Sequence, residues 1–220
     1  MLWDTSMVMG CAMRGSDGEV GAVSDLLFDD TTWRLRWIVV NTRHWFPSHQ
    51  VLLPAAAMGR SNPSQRWLAI DLTIGQIENG LAAGRYLPVS RQTAASSSDN
   101  PHLRSVEAVV GHRVHLLDGL VGHVEELLVD DADWIIRYIK VDTCKWRPGD
   151  KVLLAPRFVR EIDWGGRLVR LDVRRQEIVD DEAHRDVVWL RTESDGRDSS
   201  THRRWIEAIP DKIPRGTGAF

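Results

Sequence analysis

The sequence predicts an all-β protein built from two small barrels in tandem, with short helices and a C-terminal tail. Three observations carry that expectation. The phrase WIVVNTRHWFPSHQVLL at Trp37–Leu53 recurs as YIKVDTCKWRPGDKVLL at Tyr138–Leu154. Sliding the chain by 101 residues lays Gly10–Asn79 on Gly111–Asp180 without a gap, with 23 identities in 70 positions. Within each copy the local signals are short, closely spaced strands bounded by turns, with little helix.

A period near 100 is too long for a solenoid, whose units run about 20–50 residues. Each copy is long enough to hold a small core of its own. The boundaries expected are a first domain over residues 1–90, a linker over 91–104, a second domain over 105–191 and a tail over 192–220. The linker lies in PVSRQTAASSSDNPHLRS (Pro88–Ser105), rich in Ser, Ala and Pro and without periodic apolar positions. In the tail, Trp205, Ile206 and Ile209 are spaced to share one side of a helical turn that starts at Ser200 or Thr201 and stops at Pro210.

Each strand has a local reason. Asp17-Gly18 and Asp118-Gly119 separate strand-like runs, and glycine accepts the positive φ of a tight hairpin. EVGAVSDLLF and LVGHVEELLV follow. Second turns are expected at Asp29-Asp30 and Asp130-Asp131, where aspartate hydrogen-bonds its own backbone. RLRWIVVN and IIRYIKVD are β-branched and aromatic; HQVLL with DKVLL and RWLAIDL with RLVRLDV complete the set. TIGQIENGLAAG and RRQEIVDDEAH read as short helices anchored by Ile77 and Ile178.

Period two assigns the faces of the central strand. Ile38, Val40, Ile139 and Val141 are expected to point into the barrels. The opposite face carries Leu35, Trp37 and Val39 in the first copy and Ile136, Tyr138 and Lys140 in the second. That face is too apolar to be left in water, so it is expected to be an interface with the other domain or with a second chain of a homodimer.

Bulk properties narrow the function classes. No apolar run approaches the roughly 20 residues that cross a bilayer, and the N-terminal residues lack the pattern of a signal peptide. A net charge of −3 and a pI near 6.2 argue against nucleic-acid binding. The two cysteines, Cys11 and Cys144, lack metal spacing and suit a reducing compartment, so a cytoplasmic location is expected. Neither a metal nor a cofactor is expected.

The glycine, the D-G turn, the xGxVxDLLxDD run, the strand ending in Val-Asp and the closing VLLP together resemble the PRC-barrel family, over most of residues 6–180. TRHWFPSHQVLLP and TCKWRPGDKVLLAP are similar to a bacterial tandem subgroup with a Trp-x-Pro-Gly loop; Ser48 departs from that loop where the second copy has Gly149. The resemblance implies an all-β barrel without intrinsic catalysis that works through protein contacts. Family members include the cytoplasmic domain of the photosynthetic reaction-centre H subunit, which caps a membrane complex and helps conduct protons. A related domain in the ribosome maturation factor binds a ribosomal protein. Neither the membrane helix of the one nor the second domain type of the other is read in these residues.

The candidate partner-binding residues are Trp45, Phe46 and Pro47 with Trp146, Arg147 and Pro148, because Trp and Arg dominate interface energetics. The competing expectation is that Trp45 and Trp146 fold back over the barrel ends while the prolines fix the turns. His44, His49, His112, His115 and His123 are expected to be ordinary exposed side chains, with proton transfer the alternative. GRSNPSQ and Gly165-Gly166 are turns between strands and open no helix that would hold a phosphate. Cys144 aligns with Arg43 and has no histidine near it in sequence, so a nucleophile is not expected. The function expected is a non-enzymatic protein-interaction or assembly module. The alternatives are a small-molecule or ion-binding sensor between the barrels and a proton-handling accessory of a membrane complex.

Overall fold

The computed structural model describes residues 1–42, 50–59, 62–79, 102–144, 146–180 and 186–191. Strands dominate, as the sequence predicts. The first half begins with β1 (Leu2–Asp4) and a single helical turn, α1 (Thr5–Val8). Next come β2 (Ala12–Arg14), β3 (Glu19–Asp29), β4 (Leu35–Asn41) and β5 (Gln50–Pro54). β6 (Trp67–Ala69) and α2 (Ile74–Glu78) are the last of its elements among the described residues.

The second half repeats this order. It comprises β7 (Leu103–Ser105), α3 (Val106–Val109), β8 (Arg113–Leu116), β9 (Gly119–Asp130), β10 (Ile135–Asp142) and β11 (Asp150–Leu154). β12 (Val159–Asp163), β13 (Leu168–Leu171), α4 (Arg175–Asp180) and β14 (Val187–Arg191) follow. The counterpart of β12 in the first half is reduced to two bridges, Met58–Ile70 and Asn62–Trp67. Leu103 and Arg104, read from the sequence as the end of the linker, belong to strand β7. The rest of the linker and the tail, with Trp205, Ile206 and Ile209, lie outside the described residues.

Two mixed sheets result. The first has the order β5-β4-β3-β2-β6, with the parallel pair at β2–β6. The second has the order β12-β13-β8-β9-β10-β11-β14, with the parallel pair at β13–β8. Among the described residues neither sheet closes into a barrel. No helix among them is long and apolar enough to cross a membrane.

The long strands β3 and β9 each have one edge shared between two neighbours. β2 covers the N-terminal part of β3, and β7, from the other half, covers its C-terminal part. β8 and β1 divide β9 in the same way. The exchange is reciprocal to the residue: Leu103 faces Asp29 as Leu2 faces Asp130, and Ser105 faces Leu27 as Asp4 faces Leu128. A pseudo-twofold axis therefore relates the halves, and it passes beside the bridge between Arg34 and Ile135.

Turn residues meet at that axis. Trp33 and Trp134 both have φ of 56°, left-handed values that cost a non-glycine residue about 1–3 kcal/mol. Each is held by what surrounds it. Their amides donate to Asp29 and Asp130, and their carbonyls accept from Ile136 and Leu35 of the opposite half, both at 2.8 Å. Trp33 also stacks on Phe28, with ring centroids 5.3 Å apart. Each acidic pair straddles a strand end and its turn, and the first aspartate of each makes the expected bonds to the turn backbone. Asp29 accepts from the amides of Thr31 and Thr32, both at 3.0 Å, and Asp130 from that of Ala132. Burial opposes the ionised form of Asp29, yet the hydrogen bond from the Thr31 hydroxyl, with those from the two amides, outweighs it and holds the carboxyl below its usual range.

The main core runs through both halves. Ile38, Val40, Ile139 and Val141 lie in it, as do the helix anchors Ile77 and Ile178. Leu35 and Ile136 correct the face assignment, because they join this core instead of the outer face. The cause is a pair of matching bulges. Registers shift between Leu27–Trp37 and Phe28–Leu35, and between Ile136 and Tyr138, so Arg36 and Arg137 are extra residues that break the alternation. Trp37, Val39 and Tyr138 do stand on the outer faces, where each face takes a leucine from the other half. Leu103 packs with Leu27, Val39 and Leu52, and Leu2 with Leu128, Tyr138 and Leu153. Burying one such leucine is worth about 1.5–3 kcal/mol.

Close backbone approach explains one repeated glycine. A Cβ on Gly21 would stand 2.1 Å from the Asn41 carbonyl oxygen, and on Gly122 1.7 Å from that of Asp142. Gly21→Ala and Gly122→Ala are each expected to lower stability by about 1–3 kcal/mol. Gly75→Ala, in α2 with nothing within 4 Å of the new methyl group, is expected to raise it by roughly 0.4–1 kcal/mol. Urea-denaturation midpoints of the three variants check both signs.

Candidate functional site

The second Trp-x-Pro loop leaves β10 at Asp142 and is pinned from beneath. The buried Thr143 hydroxyl lies 2.9 Å from the Arg147 carbonyl oxygen and 2.7 Å from that of Asp150. Its own carbonyl accepts from the amides of Trp146 and Arg147, both at 2.8 Å. The Asp142 carboxylate accepts from the Cys144 amide, and Gly149, at φ of 89°, turns the chain back into β11. These bonds fix where the three candidate side chains go.

Trp146 is half-buried and packs against the main core. Its indole meets Trp189 of β14 edge-on at 5.3 Å, and Trp189 Nε1 donates to the Ile178 carbonyl at 3.4 Å. The Arg147 guanidinium lies over both rings, 5.4 Å from Trp146 and 4.7 Å from Trp189. Each such contact is worth about 0.5–1 kcal/mol near the surface. Trp146, Arg147 and Trp189 are half-buried, while Pro148 is exposed. Trp189 is the member that sequence reasoning missed. Its only sequence signal is an aromatic residue in an apolar strand, which says nothing about the loop it supports. Trp45, Phe46 and Pro47 lie outside the described residues.

The titratable candidates are dispersed. No group of three or more His, Cys, Asp or Glu among the described residues is placed to hold a metal. His44 and His49 lie outside the described residues, and His115 and His123 are half-buried. Cys144 is exposed, whereas Cys11 is buried, donates its thiol hydrogen to the Met7 carbonyl and has its pKa raised by burial.

His112 corrects the expectation of exposed histidines, because only 2% of its surface is accessible. It occupies the position of Cys11 in the first half, and its ring meets Trp164 edge-on at 5.2 Å. Burial lowers its pKa, the nearby Arg167 adds to that, and Asp163 opposes it.

Between the halves lies a seam of buried polar groups. Asp25 of β3 accepts from the Ser105 hydroxyl at 2.5 Å, from the Glu107 amide at 3.1 Å and from the Leu26 amide at 2.8 Å. Glu126 of β9, at the equivalent position, accepts from the Ser6 amide at 2.8 Å and lies 3.5 Å from Lys140 Nζ. One carboxylate from each half thus receives the helical turn of the other. A buried acceptor with several donors is costly to disturb, so this seam fixes register.

No protein-family model matches this chain, and no curated protein matches it.

The buried imidazole has a measurable consequence. Unfolded, His112 takes up a proton near pH 6.5; folded, it resists. Its contribution to stability is therefore complete above about pH 6.5 and is lost as pH falls below that value. His112→Cys, which copies the residue at position 11, is expected to flatten the decline of the urea midpoint between pH 7 and 5. An unchanged slope relative to wild type rejects the assignment.

Proposed function

We propose that this chain is a non-enzymatic assembly module of two PRC-barrel-like units in tandem, working in the cytoplasm and binding protein through its Trp-x-Pro loops. The repeat of strand order at an offset of 101 residues supports the tandem units, and the family resemblance supports their kind. The observation that carries the binding role is the contiguous set of Trp146, Arg147 and Trp189 beside the exposed Pro148. Such a surface offers a partner aromatic and guanidinium area that is already ordered, so little side-chain entropy is lost on docking. The hydrogen-bonded loop holds it at one end of the sheet.

The test is affinity purification of the tagged full chain from its native cell, compared with Trp146→Ala and Arg147→Ala variants whose circular dichroism matches wild type. A partner retained by wild type is expected to bind either variant more weakly by about 2 kcal/mol, the loss typical of a central interface residue. Equal retention by wild type and the folded Arg147→Ala variant removes the loop from the interface.

A further inference from the structure

The two junctions between the halves have the same backbone geometry and different chemistry. Where β7 and α3 dock on the first sheet, the buried positions are Ser105, Asp25 and Val39, with Ser24 and Gln50 alongside. Where β1 and α1 dock on the second sheet, the equivalents are Asp4, Glu126 and Lys140, with Glu125 and Lys151. Asp4, Glu126 and Lys140 are only 4%, 5% and 5% exposed. At these positions one junction carries a single charged group, Asp25, which accepts from a hydroxyl and two amides; an Arg104–Asp30 ion pair lies one residue further along β7. The other adds both an acid and an ammonium. Lys140 Nζ lies 3.5 Å from Glu126 and 3.8 Å from Glu125, and Glu125 also pairs with Lys151.

The twofold relation places Asp4 where Ser105 touches Asp25, that is, against Glu126. Two carboxylates taken out of water side by side repel each other, and a neighbouring ammonium offsets that repulsion. Lys140 stands on the neighbouring strand at the position held by Val39 in the other junction. We infer that Asp4 and Lys140 form a matched pair that keys the first strand to the second half and bars it from the equivalent site on a first half. There Asp4 would meet Asp25 beside Val39, with Ser24 and Gln50 in place of the charged pair Glu125 and Lys151. The surface around Glu126 and Lys140 is thus a docking site for a strand of stated chemistry: a leucine that fills the pocket of Leu128, Tyr138 and Leu153, followed two residues later by a carboxylate. The first strand of this chain is its occupant. The pairing of one first half with another is excluded.

A double-mutant cycle on the full chain tests this. K140V leaves two buried carboxylates without their ammonium and is expected to lower the folding equilibrium constant at pH 7 roughly a hundredfold or more. D4S leaves Lys140 with Glu125 and Glu126 and is expected to cost far less. D4S/K140V places at these two positions the serine and valine of the other junction and is expected to recover at least about tenfold of the K140V loss, a coupling that independent sites do not show. Losses that add, with D4S/K140V no more stable than K140V, overturn the inference. If K140V yields no folded protein, S105D and S105D/V39K read the same coupling in the opposite junction. Rescue of S105D by V39K supports the matched pair, and absence of rescue overturns it.

Discussion

Everything in this molecule depends on the reciprocal docking of one short strand from each half on the long strand of the other. Leu2 and Leu103 cover outer faces that their own halves leave apolar, and the helical turns behind them bring amides to Glu126 and Asp25. Hydrophobic burial supplies the free energy and is indifferent to register. The buried carboxylates supply register, because a shift of one residue leaves them without donors. The two terms act on the same few residues, so neither half is complete by itself.

The same dependence explains where strain is tolerated. Trp33 and Trp134 hold left-handed backbone conformations at the tips of their turns, and their carbonyls are the acceptors that tie the halves together beside the twofold axis. The bulges at Arg36 and Arg137 turn Leu35 and Ile136 inward at the same place. One extra residue per strand lets β4 and β10 serve the main core at one end and the outer clusters along the rest.

Most of the fold was legible in the sequence because the duplication marks its own elements. The D-G turns, the Asp-Asp turns, the paired apolar strands and the buried Ile77 and Ile178 recur at one spacing, so each copy checks the other. The exchanged strands were not legible. Residues 1–9 and 102–110 share only Leu2 with Leu103 and Val8 with Val109, and three-residue strands carry no periodicity to detect. Counting by twos across the central strand also fails, since a bulge leaves no mark that distinguishes Arg36 from any other exposed arginine. At the loop, the sequence identified Trp146, Arg147 and Pro148 but not Trp189, whose place depends on β14 pairing with β11. His112 differs from Cys11 in charge and size, so the repeat itself hid its burial.

The exchange also orders events during synthesis. β1 is made before every other strand described here, yet its hydrogen-bonding partner β9 follows only after the whole first half has been translated. Until β7 emerges, Leu27, Val39 and Leu52 have no leucine to cover them. At elongation rates of about 5–20 residues per second, the nascent first half spends seconds with an apolar face open and an acidic strand unplaced. The matched pair proposed above would keep that waiting strand from settling on Asp25 of a neighbouring nascent chain.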